Sequence, residues 1–177
     1  MTFAAGEAQL FNLVVRGLAF RSEHLLVSQW VGGYCFPIGG RLKHGESLEA
    51  GLTREFLEET GVIAVIRKLV YFHESFFVDR GGHAIHELGW YFWVEAPKLT
   101  VRLDEVRPHP DHPDLRLAYV PLDRLAEMHL LPGFLVESLP RDFQAGFPGP
   151  MRRVQTREGA PPGSGAGGAH AQRPAPD

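Results

Sequence analysis

Residues 39–62 read GGRLKHGESLEAGLTREFLEETGV, and this stretch decides the fold. Ser47 to Thr60 reads as a helix, with Gly61 placed to end it in a left-handed conformation. Leu48, Leu52 and Phe56 recur at i, i+4 and i+8, a stripe that buries against a sheet. At about 100° per residue, Glu55, Glu58 and Glu59 fall within about 100° of one another on one face. Arg54 lies beside Glu58 at i,i+4 spacing. Gly51 costs roughly 1 kcal/mol against Ala inside a helix, and close packing is the reason expected for it.

Three carboxylates on one helix edge repel, and each has a raised pKa unless positive charge sits among them. A hard divalent cation resolves the repulsion. Mg²⁺ and Mn²⁺ take oxygen ligands, and Mg²⁺ keeps waters that a substrate phosphate can replace. Gly39-Gly40 allows close backbone approach, so a loop carbonyl can join the ligands. The spacing of glutamates alone is equally compatible with a solvated, salt-bridged surface helix.

The full pattern separates the two readings. It runs Gly40, five residues, Glu46, seven residues, Arg54-Glu55-Phe56, one residue, Glu58-Glu59, one residue, Gly61-Val62. This resembles the signature box of the Nudix hydrolases at every defined position. The resemblance implies a three-layer α/β/α sandwich around a mixed sheet, covering roughly residues 8 to 140. It also implies an Mg²⁺- or Mn²⁺-dependent pyrophosphohydrolase that cleaves a nucleoside diphosphate linked to another moiety. Such substrates include a nucleoside triphosphate, a nucleotide sugar or an ADP-ribose-like compound. Carried over by residue, the carbonyl of Gly39 and the carboxylates of Glu55, Glu58 and Glu59 form the metal shell. Arg54 holds the glutamates, Glu46 fixes the loop–helix turn, and Gly40 and Gly61 serve backbone geometry. Bound cations would bridge phosphate oxygens, neutralise the leaving group and activate a water.

There are departures. Ile38 stands where many relatives have Pro, and Lys43 occupies a position that is often acidic. The box does not assign a general base. Relatives draw it from the box helix or from a later carboxylate, for which Glu87 is the first candidate and Glu74 the second. His83 and His86 lie three apart on a strand, hence on opposite faces, which favours surface or substrate-side positions over a zinc site. Two rival functions follow: a Nudix-fold nucleotide-binding or regulatory module without turnover, and an RNA 5′-end pyrophosphohydrolase. The intact Arg54, Glu55, Glu58 and Glu59 argue against the first.

Outward from the box, Gln9–Phe20 and His24–Trp30 read as strands and Tyr34–Ile38 as a short extended piece. Val62–Val78 and His83–Glu95 read as strands joined by an Asp79-Arg80-Gly81-Gly82 turn. Val106–Asp114, with three prolines, reads as a loop, and Leu115–Val120 as the last strand. Pro121 opens a helix to about Met128, and a second short helix follows Pro132. Mixed strands and helices with an antiparallel hairpin give an α/β or α+β class.

Composition sets the outer bounds. The chain has 177 residues, 44% hydrophobic and 22% charged, length for one domain. The domain is expected over residues 1–144. From Ala145 to Asp177 the composition turns to Gly, Ala, Pro, Arg and Gln, and a disordered tail is expected. A net charge of −3 argues against nucleic acid and acidic membranes as partners, leaving a small-molecule nucleotide substrate. The single cysteine, Cys35, excludes an internal disulfide and fits a reducing compartment. No apolar run reaches the roughly 18 residues of a membrane span, and no secretory signal is seen, so a cytoplasmic location is expected. Homodimers are common among the relatives. Trp30, Tyr34, Phe76, Trp90 and Tyr91 are candidates to stack a nucleobase, and Arg16, Arg21 and Arg80 to meet phosphate or ribose. Nothing in the sequence singles one of them out, and the markers that separate the substrate subgroups are absent.

Overall fold

The Leu-Phe stripe of the box becomes a helix, α1 (Leu48–Thr60), whose Leu52 and Phe56 are fully buried. Each such burial contributes about 1.5–3 kcal/mol. Ser47 caps the start, its Oγ accepting the Ala50 N–H at 3.2 Å, and Gly61 ends it at φ 74°. Gly51 is buried where a Cβ would run into the Leu42 side chain and come 3.2 Å from the Glu46 carboxylate, so its cost is one of close packing.

The computed structural model describes residues 9–79, 81–110 and 112–157. Around α1 lie β1 (Gln9–Arg21), β2 (His24–Trp30), β3 (Cys35–Arg41), β4 (Val65–Val78) and β5 (Ala84–Glu95). They are followed by β6 (Val106–Pro108), β7 (Leu115–Pro121), a 3₁₀ turn (Leu122–Arg124), α2 (Phe134–Gln144) and β8 (Arg152–Arg157). The strands form one mixed sheet in the order β6-β7-β2-β3-β1-β5-β4-β8. β1 pairs β5 and β4 pairs β8 in parallel; the other neighbours are antiparallel. Two cores flank the sheet. Val15, Ala19, Leu26, Phe92 and Val94 pack with Leu52 and Phe56 of α1. The alternate residues Leu18, Leu25, Val27 and Tyr91 pack with Leu135 and Leu139 of α2. Side chains alternate across a strand, so the helices cover opposite faces and the fold is the expected α/β/α sandwich.

Three expectations need correction. Val106–Asp114 is not all loop, because β6 pairs with β7. The segment after Pro121 closes only a 3₁₀ turn, whereas α2 runs 11 residues. The largest correction is the tail. Residues 145–157 are built onto the domain, and β7 is not the last strand. Phe147, 5% exposed, packs its ring 5.9 Å from Phe20 and 5.8 Å from Trp93, between centroids. Lys68 Nζ donates to the carbonyls of Phe147 and Gly149 at 2.6 and 2.7 Å. The β8 arginines find partners on β4 and α2: Arg152 lies over Tyr71 and 3.0 Å from Asp142, Arg153 meets Glu74 at 2.9 Å, and Arg157 covers Phe76. A composition argument counts apolar area; an added edge strand is held by backbone hydrogen bonds and cation–π contacts that it does not count. The remainder of the expected tail, 158–177, lies outside the described residues, as do Arg80 and the part of the hairpin turn it occupies.

Candidate active site

Two glycines let β3 run close to its neighbours, Gly39 against β1 and Gly40 against the box helix. Gly39 has φ 137°, and a Cβ there would run into the Val15 carbonyl oxygen. At Gly40 a Cβ would sit 2.5 Å from Glu55 Oε2 and 2.8 Å from its Oε1, so the missing side chain is the space the carboxylate fills.

Arg54 ties the box together. Its Nε and Nη2 fork onto Glu46 at 2.6 and 2.9 Å, and Nη2 also donates to the Arg41 carbonyl at 3.1 Å. Its Nη1 donates to Glu55 at 2.5 Å and to Glu58 at 3.4 Å. Glu46 in turn accepts the Lys43 N–H at 2.9 Å, closing the loop before the helix. The Arg54 bonds hold the Glu46 carboxyl down at about 2, and the Arg54 guanidinium is shifted further up. Glu55 moves the other way: burial raises its carboxyl, with Glu59 and Glu58 adding to the rise and Arg54 opposing it.

Glu59 is 7% exposed and faces into the protein. Its Oε2 accepts Ser28 Oγ at 2.7 Å and lies 3.2 Å from His109 Nε2; its Oε1 accepts the Gly39 N–H at 3.2 Å. The Gly39 carbonyl accepts Arg16 Nη1 at 2.5 Å, and the same nitrogen donates to the Pro37 carbonyl at 3.1 Å. Arg16 also lies over the Phe36 ring, 5.0 Å from its centroid. Glu87 is half-buried, and burial raises its carboxyl against the pull of Arg16, Asn12 and Arg41.

The structure thus gathers Gly39, Gly40, Glu46, Arg54, Glu55, Glu58 and Glu59 at the junction of α1 and β3. As they stand, Glu55 and Glu58 contact Arg54, and Glu59 faces Ser28. Among the described residues no three His, Cys, Asp or Glu side chains form a group that could hold a metal. Glu74 is spent elsewhere: it meets Arg153, Gln155 and His86, and its carboxyl is lowered chiefly by Arg153. His83 pairs with Asp79 while His86 stacks on Phe76 and meets Glu74, so the two do not share a ligand. Of the aromatic candidates, Tyr91 is 1% exposed and belongs to the core; Trp30 and Tyr34 stand near each other at the β2–β3 hairpin tip, 6.2 Å apart between ring centroids. Arg21 is spent on the carbonyls of Val101 and Leu99. Sequence reasoning missed Ser28 and His109, which lie 31 and 50 residues from Glu59 in the chain and carry no local signal.

A NUDIX domain model matches residues 11–139. The chain belongs to the Nudix family. Among solved structures, the E. coli ORF135 protein is 22% identical with a TM-score of 0.51, over 81% of this chain and 94% of that one. A NUDIX hydrolase from Nitrosomonas europaea is 14% identical with a TM-score of 0.57, over 89% and 83%. A UDP-X diphosphatase is 15% identical with a TM-score of 0.58, over 86% and 69%. These likenesses show the fold. Among curated proteins none matches the sequence. As a Nudix protein the chain is a hydrolase of phosphoanhydrides, a pyrophosphohydrolase in the general sense. No helix among the described residues is long and apolar enough to cross a membrane.

Proposed function

We propose that this Nudix protein is a divalent-metal-dependent pyrophosphohydrolase cleaving a nucleoside diphosphate joined to another group. The observation that carries it is the Arg54 fork, which fastens Glu46 and contacts Glu55 and Glu58 while Gly40 makes room for the Glu55 carboxylate. The similarity in fold to a UDP-X diphosphatase, whose name specifies a nucleoside diphosphate derivative, supports the substrate class.

The residues fit a hard cation by their chemistry. The set of Glu55, Glu58, Glu59 and the Gly39 carbonyl offers only oxygen, the donor type Mg²⁺ and Mn²⁺ prefer. Glu55 is raised chiefly by burial, with Glu59 and Glu58 adding to the rise and Arg54 opposing it. When bound, the cation neutralises charge on the phosphates and lowers the pKa of a bound water. The chain's own part is separate. Arg54 and Glu46 lock the loop onto the helix, so that Gly39 and Glu55 keep their spacing. Arg16 donates to the Pro37 and Gly39 carbonyls and so fixes the backbone that presents Gly39. Glu87, raised and near Arg16, is a candidate to take a proton from the attacking water, since a raised carboxyl is a stronger base.

The test is a phosphate-release screen with Mg²⁺ and Mn²⁺, coupled to a phosphatase. It covers nucleoside triphosphates, oxidised dGTP, ADP-ribose, nucleotide sugars, NADH, coenzyme A, diadenosine polyphosphates and 5′-triphosphate RNA, with Glu58→Gln as blank. Turnover of a nucleoside diphosphate derivative that is lost in the blank is expected. Turnover of RNA alone, or of nothing while nucleotide still binds, contradicts the reading.

A further inference from the structure

We propose that Ser28 and His109 are positioning residues for Glu59, holding one of its oxygens so that the other is offered to the catalytic centre. The inference rests on the reading that Glu59 belongs to the cation-holding set.

Glu59 is buried on α1, at 7% exposure. A carboxylate has about four acceptor directions. Oε2 accepts Ser28 Oγ at 2.7 Å and Oε1 takes the Gly39 N–H at 3.2 Å, while His109 Nε2 lies 3.2 Å from Oε2 as a close ion-pair contact without hydrogen-bond geometry. These contacts leave Oε1 with one direction to give. Gly39, whose N–H fixes that oxygen, is also the residue whose carbonyl belongs to the proposed set, so both are held through one residue.

The partners come from separate parts of the fold. Ser28 is fully buried on β2, paired with Phe36 on β3 and Leu117 on β7. His109 follows β6 directly, and its N–H donates to the Leu115 carbonyl at 3.1 Å, which closes the loop that precedes β7. β6 pairs β7 and β7 pairs β2, so the edge of the sheet carries both residues to the end of α1. Packing does not call for them. Ser28 pairs across the sheet with the fully apolar Leu117, at a position an apolar side chain could fill. Ser28 bonded to one carboxylate oxygen, with the His109 ring set 3.2 Å from the same oxygen, is accounted for by what the two do to that carboxylate. Groups that orient a metal-holding side chain typically change metal affinity or activity 10–100-fold when removed.

The experiment uses the full chain and four variants: His109→Phe, His109→Gln, Ser28→Ala and Glu59→Gln. Thermal melts first establish that each is folded. Mn²⁺ affinity is then read without substrate from the loss of the free-Mn²⁺ electron paramagnetic resonance signal, and kcat and KM are measured at saturating metal. His109→Phe and Ser28→Ala are expected to weaken Mn²⁺ binding about tenfold and to lower kcat by a similar factor with KM within about twofold. His109→Gln, which restores a polar group, is expected to recover most of both. A folded His109→Phe with the affinity and kcat of the parent overturns the proposal, as does His109→Gln no better than His109→Phe. If His109→Phe does not fold, Ser28→Ala decides by the same two readouts. If Glu59→Gln weakens Mn²⁺ binding while Ser28→Ala and His109→Phe do not, positioning fails and the reading of Glu59 stands. If Glu59→Gln binds Mn²⁺ as the parent does, that reading fails, and this proposal with it.

Discussion

Replacing Arg54 with Lys keeps the charge and removes the fork. Arg54 makes two bonds to Glu46, one to Glu55, a longer one to Glu58 and one to the Arg41 carbonyl. A single ammonium cannot reproduce the planar two-nitrogen contact with Glu46 while also reaching Glu55. Bonds to charged groups contribute about 1.5–3 kcal/mol each, and breaking a buried pair costs about 3–5 kcal/mol. The Arg54 side chain keeps 18% exposure and Lys retains part of the attraction, so the loss expected is about 3 kcal/mol. For a chain of this length each kcal/mol moves the melting temperature by about 2–4 °C, giving a fall of about 6–12 °C. Activity should suffer more, because Glu46 holds the loop that presents Gly39 and Gly40; a displacement near 1 Å costs about 100-fold. Calorimetry at pH 7 and phosphate release by the folded variant check both. A variant within about 1 kcal/mol and threefold of the parent would refute the claim that Arg54 organises the site.

Other consequences follow from single groups. Glu55→Gln should raise the melting temperature of the metal-free protein at pH 7 while abolishing turnover. The raised Glu55 carboxyl means that folding disfavours its charge, so stability falls as pH rises past the ordinary carboxylate range, and the amide removes that loss. Glu46 acts in the opposite sense. Its carboxyl is lowered to about 2, so its contribution is complete above the unfolded value near 4.5 and is lost as pH falls from there towards 2; urea midpoints across that window should fall for the parent and flatten for Glu46→Gln. Phe147→Ala should destabilise the domain by about 3–5 kcal/mol in urea unfolding, since the ring is buried against Phe20 and Trp93; a change under 1 kcal/mol would show that residues 145–157 are only loosely attached.

The box helix was legible because its information is local. The apolar stripe from Leu48 to Phe56, the glycine at 61 and the clustered glutamates lie within one short segment, and helix geometry converts their spacing directly into a buried face and a charged edge. Strands β1 to β5 and β7 were legible for the same reason. What escaped is non-local. Glu59 is clustered with Glu55 and Glu58 in the sequence, yet in the fold its carboxylate accepts Ser28 and lies beside His109, which no periodicity links to it. His109 sat in a proline-rich stretch that reads as loop, although its first residues pair as β6. The segment after Gln144 was obscured by composition: its glycines and prolines bridge α2 to β8, and Phe147, a lone aromatic in a polar context, closes a core built by residues far upstream.

The most direct measurement is an Mg²⁺ titration into the chelated protein, following turnover of the best nucleoside diphosphate derivative for the parent and for Glu58→Gln. The account predicts no turnover without cation, saturable activation for the parent, and a loss of at least about 100-fold in Glu58→Gln with its melting temperature retained. Turnover that persists in chelator, or a Glu58→Gln variant activated like the parent, would contradict it.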